Sequence, residues 1–252
     1  MSNLPTQSNV GAQPEPVRAF FADLELSKGT IIKQKNGPIN PTEQPQDERL
    51  SRIVVAALEV FSESSFRDAT TDEIARRAHV SKRDIYAAFP NKHAILLAVI
   101  DMVLQADEQK LLKVILLTRE AASLQDRLEV IGLALINEIL SPATGFLSRL
   151  IATESILQPH IGSIYFERWY TRRANLISQL LSVRSKGATK DARPHNDASQ
   201  AAKHYLALIT HLPQLTVSVG VRDMWNSRSA QAHVHSSVEC FLSAHRDLVL
   251  SM

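Results

Sequence analysis

Side chains that can bind a phosphate group or read a base edge are concentrated in one short stretch of this chain. Residues 70 to 92 read TTDEIARRAHVSKRDIYAAFPNK. Lys and Arg neutralise phosphates, hydroxyl and phenol groups hydrogen-bond to them, and Arg or Lys also recognises guanine in the major groove. The side chains that we expect to make such contacts are Thr71, Ser81, Lys82, Arg83, Tyr86 and Lys92. This pattern indicates binding to duplex DNA.

Two short helices joined by a tight turn are predicted to position these side chains. Thr70 followed by Glu73 is the pattern of a capping box, and Ser81 followed by Asp84 repeats it. This spacing leaves room for two helical turns and a corner, as in a helix-turn-helix. Each helix buries an apolar face, and together these faces consist of Ile74, Ala75, Ala78, Ile85 and Phe89, with Val80 in the corner. The exposed face is left to Arg76, Arg77, Lys82, Arg83 and Tyr86.

A third amphipathic helix precedes the pair, because apolar residues recur at helical spacing at Ile53, Ala56, Ala57, Val60 and Phe61. The order AALEVF, TTDEIARRA and VSKRDIYAAFPNK resembles the DNA-binding domain of the TetR family of transcriptional repressors over about residues 48 to 100. The resemblance implies an all-α protein, with a three-helix helix-turn-helix head and a helical-bundle domain for ligand binding and dimerisation. It also implies a homodimeric repressor that binds double-stranded DNA at a palindromic operator and is released by a small-molecule effector.

Several positions depart from the family pattern. His79 stands at the corner where the family usually has Gly, and we expect it to adopt a left-handed backbone. Asp84 stands where the family often has Ser or Thr near a phosphate, and we expect it to turn back and cap Ser81. Ala87 and Ala88 replace longer side chains, so base reading rests chiefly on Lys82 and Arg83, and specificity is expected to be narrow or partly shape-based.

Composition agrees with an all-helical protein. The chain has 252 residues, few glycines and a formal net charge of only +2. Residues 46 to 95 hold as many acidic as basic side chains, so the evidence for DNA binding is positional. The single cysteine, Cys240, excludes an intramolecular disulfide and is expected to be a small buried filler rather than a redox sensor. We see no signal peptide or membrane span, which favours a cytoplasmic protein without a membrane partner.

Three regions are predicted along the chain. Residues 1–45 are rich in proline and read as a mostly disordered arm, residues 46–95 as the DNA-binding domain, and residues 96–252 as the ligand-binding and dimerisation domain. Helices are expected from about Ser123 to Pro142, Thr144 to Leu157, Ile161 to Val183, Ala198 to Val219 and Arg228 to Leu250.

The segment from Phe146 to Leu181 is similar to the C-terminal domain of AefR-like regulators. A ligand site there would combine apolar walls with a few polar groups, and the candidates are Phe146, Arg149, Glu154, Tyr165 and Trp169. An aromatic stripe at helical spacing also fits ordinary core. The last two helices are the predicted dimer interface, through Tyr205, Leu206, Leu208, Ile209, Leu212, Val234, Val238, Phe241, Leu242, Leu248 and Val249, although some of these must be intramolecular core.

Other classes of function find less support. No nucleophile elbow, phosphate loop, dinucleotide fingerprint or zinc-protease motif is present, so we predict no enzyme, no catalytic residue and no cofactor. Neither His204 with His211 nor His233 with His235 has the spacing of three or four that helical metal ligands need, so we predict no metal site. The alternatives to a regulator are a DNA-independent helical adaptor and, less favoured, an all-helical enzyme.

Overall fold

The structure is a computed structural model that describes residues 44–120, 123–184, 196–221 and 223–246. These residues form helices and connecting turns and contain no strand. The all-α prediction is therefore confirmed. In chain order the helices are α1 (Gln44–Glu63), α2 (Thr71–Ala78), α3 (Lys82–Ala88), α4 (Lys92–Leu117), α5 (Leu124–Leu140), α6 (Pro142–Leu157), α7 (Pro159–Phe166), α8 (Arg172–Arg184), α9 (Asn196–Ser218) and α10 (Ser227–Ala244).

Local capping explains where most of these helices begin. The side chains of Asn91 and Ser123 accept hydrogen bonds from the backbone amides of Ala94 and Asp126, which starts α4 and α5. Helix α5 ends at Leu140, two residues before Pro142, as predicted, and Pro142 itself occupies the first position of α6, where its missing amide costs nothing. Helix α6 therefore begins earlier than predicted.

The predicted helix from Ile161 to Val183 is longer and less regular than expected. Helices α7 and α8 join through a π-helical segment, Glu167–Thr171, without a break in the chain. The last helix ends at Ala244, and the predicted continuation through Leu248 and Val249 lies outside the described residues. The proposed arm lies outside them as well, apart from residues 44 and 45, which belong to α1.

Two apolar cores hold the molecule together, and α4 contributes to both. The first core joins α1, α2, α3 and the N-terminal half of α4 to parts of α6 and α7. The second joins Leu111 of α4 to α5, α8, α9 and α10. The domain boundary predicted after Ile95 falls inside α4, so the helix belongs to both regions, and the division itself remains a prediction.

Helix α5 is tightly enclosed by the last two helices. The hydroxyl of Tyr205 donates to the carbonyl of Leu128 at 2.7 Å. A Cβ at Gly132 would lie 2.9 Å from Val234 Cγ1 and 3.2 Å from Ile209 Cδ1, so no larger residue fits without a shift. Most residues predicted for the dimer interface are consequently buried in the core of one chain: Tyr205, Leu206, Ile209, Val234, Val238 and Phe241.

No single helix in the described ranges is both long enough and apolar enough to cross a membrane. Only two sharply bent pairs, α3 with α4 and α5 with α6, reach those limits when their lengths are combined.

Candidate functional site

The start of α2 is fixed by Thr70 and by a cluster of charges. Thr70 Oγ1 accepts a hydrogen bond from the Glu73 amide at 3.2 Å, as predicted. The Glu73 carboxylate does not return to Thr70, because it binds Arg76 at 2.6 Å and Arg77 at 2.7 Å. Hydrogen bonds from these two guanidinium groups lower the pKa of Glu73 to about 2. The capping box is therefore only half formed.

Arg77 is not part of an exposed face, contrary to the expectation from sequence. Its Nη2 atom also donates to Glu63 of α1 at 2.5 Å, and its side chain is mostly covered. The guanidinium thus ties α2 to α1. Hydrogen bonding to Glu63 raises the pKa of Arg77, so the tie stays charged at any physiological pH.

The turn between α2 and α3 has the left-handed residue that the sequence predicted. His79 has φ 54° and ψ 46°, and it is the non-glycine residue with positive φ in the part of the chain that is described. The Val80 amide donates back to the Ala75 carbonyl at 3.1 Å, which satisfies the end of α2. The His79 side chain is exposed. The corner therefore forms with the strain confined to its backbone.

The start of α3 is a complete capping box. The Asp84 amide donates to Ser81 Oγ at 3.1 Å, and the Ser81 amide donates to Asp84 Oδ2 at 3.0 Å. Arg49 of α1 also donates to Asp84 at 3.1 Å. Hydrogen bonds from the hydroxyl and amide of Ser81 lower the pKa of Asp84. The carboxylate is thus held by the protein, as expected, and Ser81 uses its hydroxyl on the same cap.

Four of the predicted DNA contacts lie on what we call the α2–α3 surface, which consists of Thr71, Lys82, Arg83 and Tyr86. Tyr86 is 52 % exposed, and its hydroxyl lies 3.4 Å from Thr71 Oγ1. Lys82 Nζ lies 2.8 Å from Asp72 Oδ1, an exposed pair that a phosphate could replace. Arg83 is exposed and has no hydrogen bond or ion pair within the described ranges.

Lys92 is directed into the protein rather than onto this surface. Its ammonium group donates to the carbonyls of Phe66 at 2.6 Å, Ala69 at 2.8 Å and Arg67 at 3.1 Å. It also lies 4.7 Å from the centre of the Phe66 ring. All three donors are used, so the side chain closes the loop between α1 and α2.

A cavity of about 320 Å³ lies between α5, α6, α7 and α9. Tyr165 and Trp169 line it, and their rings stack with centroids 6.4 Å apart. The other predicted ligand-site residues lie elsewhere. Phe146 packs partly buried against the first core, Arg149 is exposed, and Glu154 lies 3.8 Å from His93 of α4.

A buried polar cluster that sequence reasoning missed adjoins this cavity. Arg173 is fully buried and donates to Glu138 Oε1 at 2.5 Å, while the Trp169 indole donates to the same oxygen at 2.8 Å. Thr144, which lines the cavity, donates to Asp107 Oδ2 at 3.3 Å. Burial, and then the charge of Glu138, raises the pKa of Asp107 to about 7. The sequence feature that could have predicted this cluster is a charged residue at a position on the apolar face of a helix.

An exposed apolar stripe runs along α9. It consists of Leu208, Leu212, Leu215 and Val219, which are between 37 % and 64 % exposed. The spacing of Leu208, Leu212 and Leu215 places them on one face of α9, and Val219 follows directly after the end of the helix, with its amide bonded to the Leu215 carbonyl. Cys240 of α10 is exposed too, so the expectation that it is a buried filler was wrong.

Comparison with known proteins assigns both halves of the chain. Residues 53–99 match the bacterial regulatory proteins of the tetR family, and residues 126–247 match the C-terminal domain of AefR-like transcriptional repressors. The transcriptional activator FasR of Mycolicibacterium smegmatis is 45 % identical over 56 residues, which cover 22 % of this chain and 26 % of FasR. The transcriptional regulator SrpR of Pseudomonas putida is 44 % identical over 54 residues, 21 % of this chain and 25 % of SrpR. The chain thus matches only about a quarter of the length of these relatives.

Solved structures share the fold over most of the chain. A TetR-family regulator from Mesorhizobium loti superposes with a TM-score of 0.70 at 22 % identity, covering 79 % of this chain and 96 % of that one. The flavonoid-responsive regulator FrrA superposes with a TM-score of 0.60 at 22 % identity, covering 79 % and 97 %. At this identity the likeness establishes a helix-turn-helix head on a helical body.

Proposed function

Because this chain belongs to the TetR family and is a transcriptional regulator rather than an enzyme, we propose that it binds a palindromic operator as a homodimer. In this proposal it represses transcription until a small molecule releases it from the DNA. The observation that carries the proposal is the α2–α3 surface, where cations and hydroxyls project from two capped helices.

The side chains of this surface are assigned to two kinds of contact. Thr71, Lys82 and Tyr86 bind phosphates, because a hydroxyl, an ammonium and a phenol lie together beside the start of α2. Arg83 enters the major groove and reads a base, because it is exposed on α3 and unpaired in the described ranges. Ser81 contributes indirectly by holding the start of α3, since its hydroxyl and its amide both donate to Asp84. We assign Lys92 an indirect role, since its ammonium group is occupied.

In this proposal, dimerisation uses the stripe of Leu208, Leu212, Leu215 and Val219 rather than the predicted interface residues that are buried in the core of one chain. Leu208 and Leu212 were in the predicted interface and are exposed, and Leu215 and Val219 extend the same face. Burial of such a stripe against its two-fold copy would stabilise a dimer through the hydrophobic effect. A dimer presents two copies of α3 to half-sites separated by about 34 Å, or by a larger fixed distance.

The effector site is the cavity beside Tyr165 and Trp169. Its walls contain aromatic and aliphatic side chains with a few hydroxyl groups, which fits an effector with an apolar or aromatic body. Helix α4 connects this region to the head through both cores. An effector that binds the released form better than the DNA-bound form lowers operator affinity by linkage.

In the alternative function, a DNA-independent adaptor, the three helices of the head are a scaffold and do not bind DNA. An adaptor that keeps the three helices only as a scaffold has no need for an exposed Arg83 beside Lys82 and Tyr86. Loss of DNA binding through substitutions on this surface alone distinguishes the two functions.

The test is fluorescence anisotropy with duplex DNA taken from upstream of the gene that encodes this chain. The wild type should bind with an affinity that falls steeply with salt, because phosphate contacts release counterions. Arg83→Ala should cost about 1 to 3 kcal/mol on the cognate site and flatten sequence preference. The matched control is Lys113→Ala, which removes an exposed cation from α4, far along the chain from the head. Equal losses for both variants, or no binding at low salt, would refute the proposal.

A further inference from the structure

Two histidine rings meet where the end of α10 lies against α9. His204 Nδ1 lies 3.1 Å from His245 Nε2, and the ring centroids are 5.2 Å apart. The sequence predicted no metal site because it compared His204 with His211 on one helix. The structure instead brings His204 together with a residue 41 positions further along the chain, so a pair of potential metal ligands forms across two helices.

A neighbouring amide determines how this pair is protonated. Gln200 Nε2 lies 2.9 Å from His204 Nε2. An amide nitrogen only donates, so His204 Nε2 accepts, and His204 Nδ1 carries the proton that it donates to His245 Nε2. The two facing ring nitrogens therefore share one proton.

We propose that His204 and His245 bind a transition-metal dication, with Zn²⁺ as the best fit, in the place of this shared proton. Two Zn–N bonds of about 2.0 to 2.1 Å at a tetrahedral angle separate their nitrogens by about 3.3 Å. The observed separation of 3.1 Å is close to that value, so a small rotation of each ring directs both nitrogens at one ion. The displaced proton moves to His204 Nε2, and the Gln200 amide turns over to accept it through its oxygen.

The ligand set selects the class of metal. Neutral imidazole suits Zn²⁺, Cu²⁺ and Ni²⁺, whereas Mg²⁺ and Ca²⁺ prefer oxygen ligands. The described ranges contain no group of three or more His, Cys, Asp and Glu side chains that could hold a metal ion. The site therefore has two protein ligands, with water in its other positions, and we expect an exchangeable ion rather than a permanent structural one.

The protein already holds both rings close to the geometry that the ion requires. The His245 amide donates to the Phe241 carbonyl at 3.0 Å, and the His245 ring packs 4.7 Å from the Phe241 ring. Phe241 is 1 % exposed and packs edge to face against Tyr205, which follows His204 directly on α9. The second core thus positions both ligands, so binding requires little further ordering. A bound ion would fasten the end of α10 to α9.

The experiment is titration calorimetry of the full chain with zinc chloride, and with magnesium chloride as the metal control. The wild type should bind Zn²⁺ at micromolar concentration and should not bind Mg²⁺. His204→Ala and His245→Ala should each weaken zinc binding by at least about tenfold, because loss of an outer partner alone costs that much. His211→Ala is the matched control, since it removes another exposed histidine from α9, and it should leave zinc affinity unchanged.

Two further readouts distinguish a metal site from a hydrogen-bonded pair. Zinc should raise the melting temperature of the wild type and of His211→Ala, but not of the two ligand variants, because the ion stabilises the state that binds it. Nitrogen NMR shifts of the imidazole rings should place the ion on His204 Nδ1 and His245 Nε2. Gln200→Leu should weaken zinc binding about tenfold although both ligands remain.

Several outcomes would overturn this inference: no zinc binding by the wild type, unchanged zinc affinity in His204→Ala or His245→Ala, or equal affinity for magnesium. A rise in melting temperature that persists in both ligand variants would assign the ion to other histidines and overturn it as well. The site does not depend on the function proposed above. A chain that binds operator DNA but no zinc keeps that function and loses this site, whereas a chain that binds zinc but no DNA does the reverse.

Discussion

At the scale of single residues, Lys92 stabilises the loop before the α2–α3 surface without lying on that surface. Its ammonium group binds three carbonyls in the loop that leads from α1 to Thr70. That loop sets the position at which α2 begins, and hence the position of Thr71. A sequence pattern places Lys92 near DNA, but its partners lie 23 to 26 residues earlier in the chain and are invisible to local spacing.

We expect Lys92→Met to lower the free energy of unfolding by about 1 to 3 kcal/mol, because it leaves three carbonyls without their donor. Urea denaturation measures this loss, and anisotropy measures DNA affinity on the same samples. Lys82→Met is the comparison, and it should weaken DNA binding while leaving stability unchanged. A Lys92→Met protein of normal stability whose DNA affinity falls like that of Lys82→Met would assign Lys92 to the phosphates.

Asp107 should make stability depend on pH in the sense opposite to an ordinary paired carboxylate. Its pKa of about 7 in the folded chain lies above the value of about 3.9 in an unfolded chain. The folded state therefore binds more protons between these values, so its stability is greatest below pH 4 with respect to this group and falls as the pH rises to 7.

Asp107→Asn should remove this contribution, because the amide carries no charge at any pH in the range. Thermal unfolding at pH 5 and pH 8 measures the difference, and the variant should be more stable than the wild type at pH 8. Asp101→Asn is the control, because it makes the same change on α4 at a carboxylate that is paired with Arg168. A wild-type melting temperature that rises from pH 5 to pH 8 relative to Asp107→Asn would show that Asp107 is ionised and well paired.

At the scale of elements, the features predicted best from the sequence are the helix starts, because short-range hydrogen bonds determine them. The starts of α3, α4 and α5 follow from Ser81, Asn91 and Ser123, whose side chains bind amides three residues on. The left-handed corner at His79 was predicted from the family pattern, which usually has Gly at this position. Four of the six predicted DNA contacts lie together on the α2–α3 surface, because their positions depend on two adjacent short helices; their role in DNA binding stays a prediction.

What the sequence did not predict depends on contacts between distant segments. Apolar periodicity identified buried positions on α9 and α10 but not whether the covering surface is the same chain or a second copy, so core residues such as Tyr205 were assigned to an interface. Similarly, Asp107 and Arg173 read as ordinary charged residues, since only the packing of α4 against α5 and α8 encloses them.

The corner between α2 and α3 provides a test at this scale. His79→Gly should raise the free energy of unfolding by up to about 1 kcal/mol, because glycine adopts φ 54° without a Cβ clash. His79→Val should lower it, since a β-branched residue tolerates this conformation poorly. Urea denaturation measures both, and His79→Ala separates loss of the imidazole from relief of the backbone. A glycine variant less stable than the alanine variant would contradict the argument.

At the scale of the whole molecule, α4 links the head to the region that holds the cavity. Its N-terminal half lies in the first core, and Leu111 lies in the second. Ion pairs from Asp101 to Arg168 and from Glu108 to Arg172 join the same helix to the π-helical segment and to α8. We therefore expect a displacement of α8 to reach the base of the head through α4.

Assembly is tested by a charge placed in the stripe on α9. Leu212→Glu should convert the proposed dimer to a monomer, because two carboxylates would face each other across the two-fold axis. Sedimentation velocity measures the mass, and operator affinity should fall with it. Leu116→Glu, at a 52 % exposed position on α4, is the control and should leave the mass unchanged. A dimer that persists in Leu212→Glu would place the interface elsewhere.

The π-helical segment Glu167–Thr171 has a consequence for how this helix tolerates insertion and deletion. A π turn holds one more residue than an α turn, so every side chain after it is rotated by about 100° relative to an uninterrupted α-helix. Trp169 lies within this segment and Arg173 follows it, and both side chains donate to the same oxygen of Glu138. Removal of one residue from the segment would preserve an unbroken helix and most of its composition while it swung the guanidinium out of the cluster. We therefore expect a deletion in this segment to displace Arg173 from Glu138 even though Arg173 itself is still present in the chain.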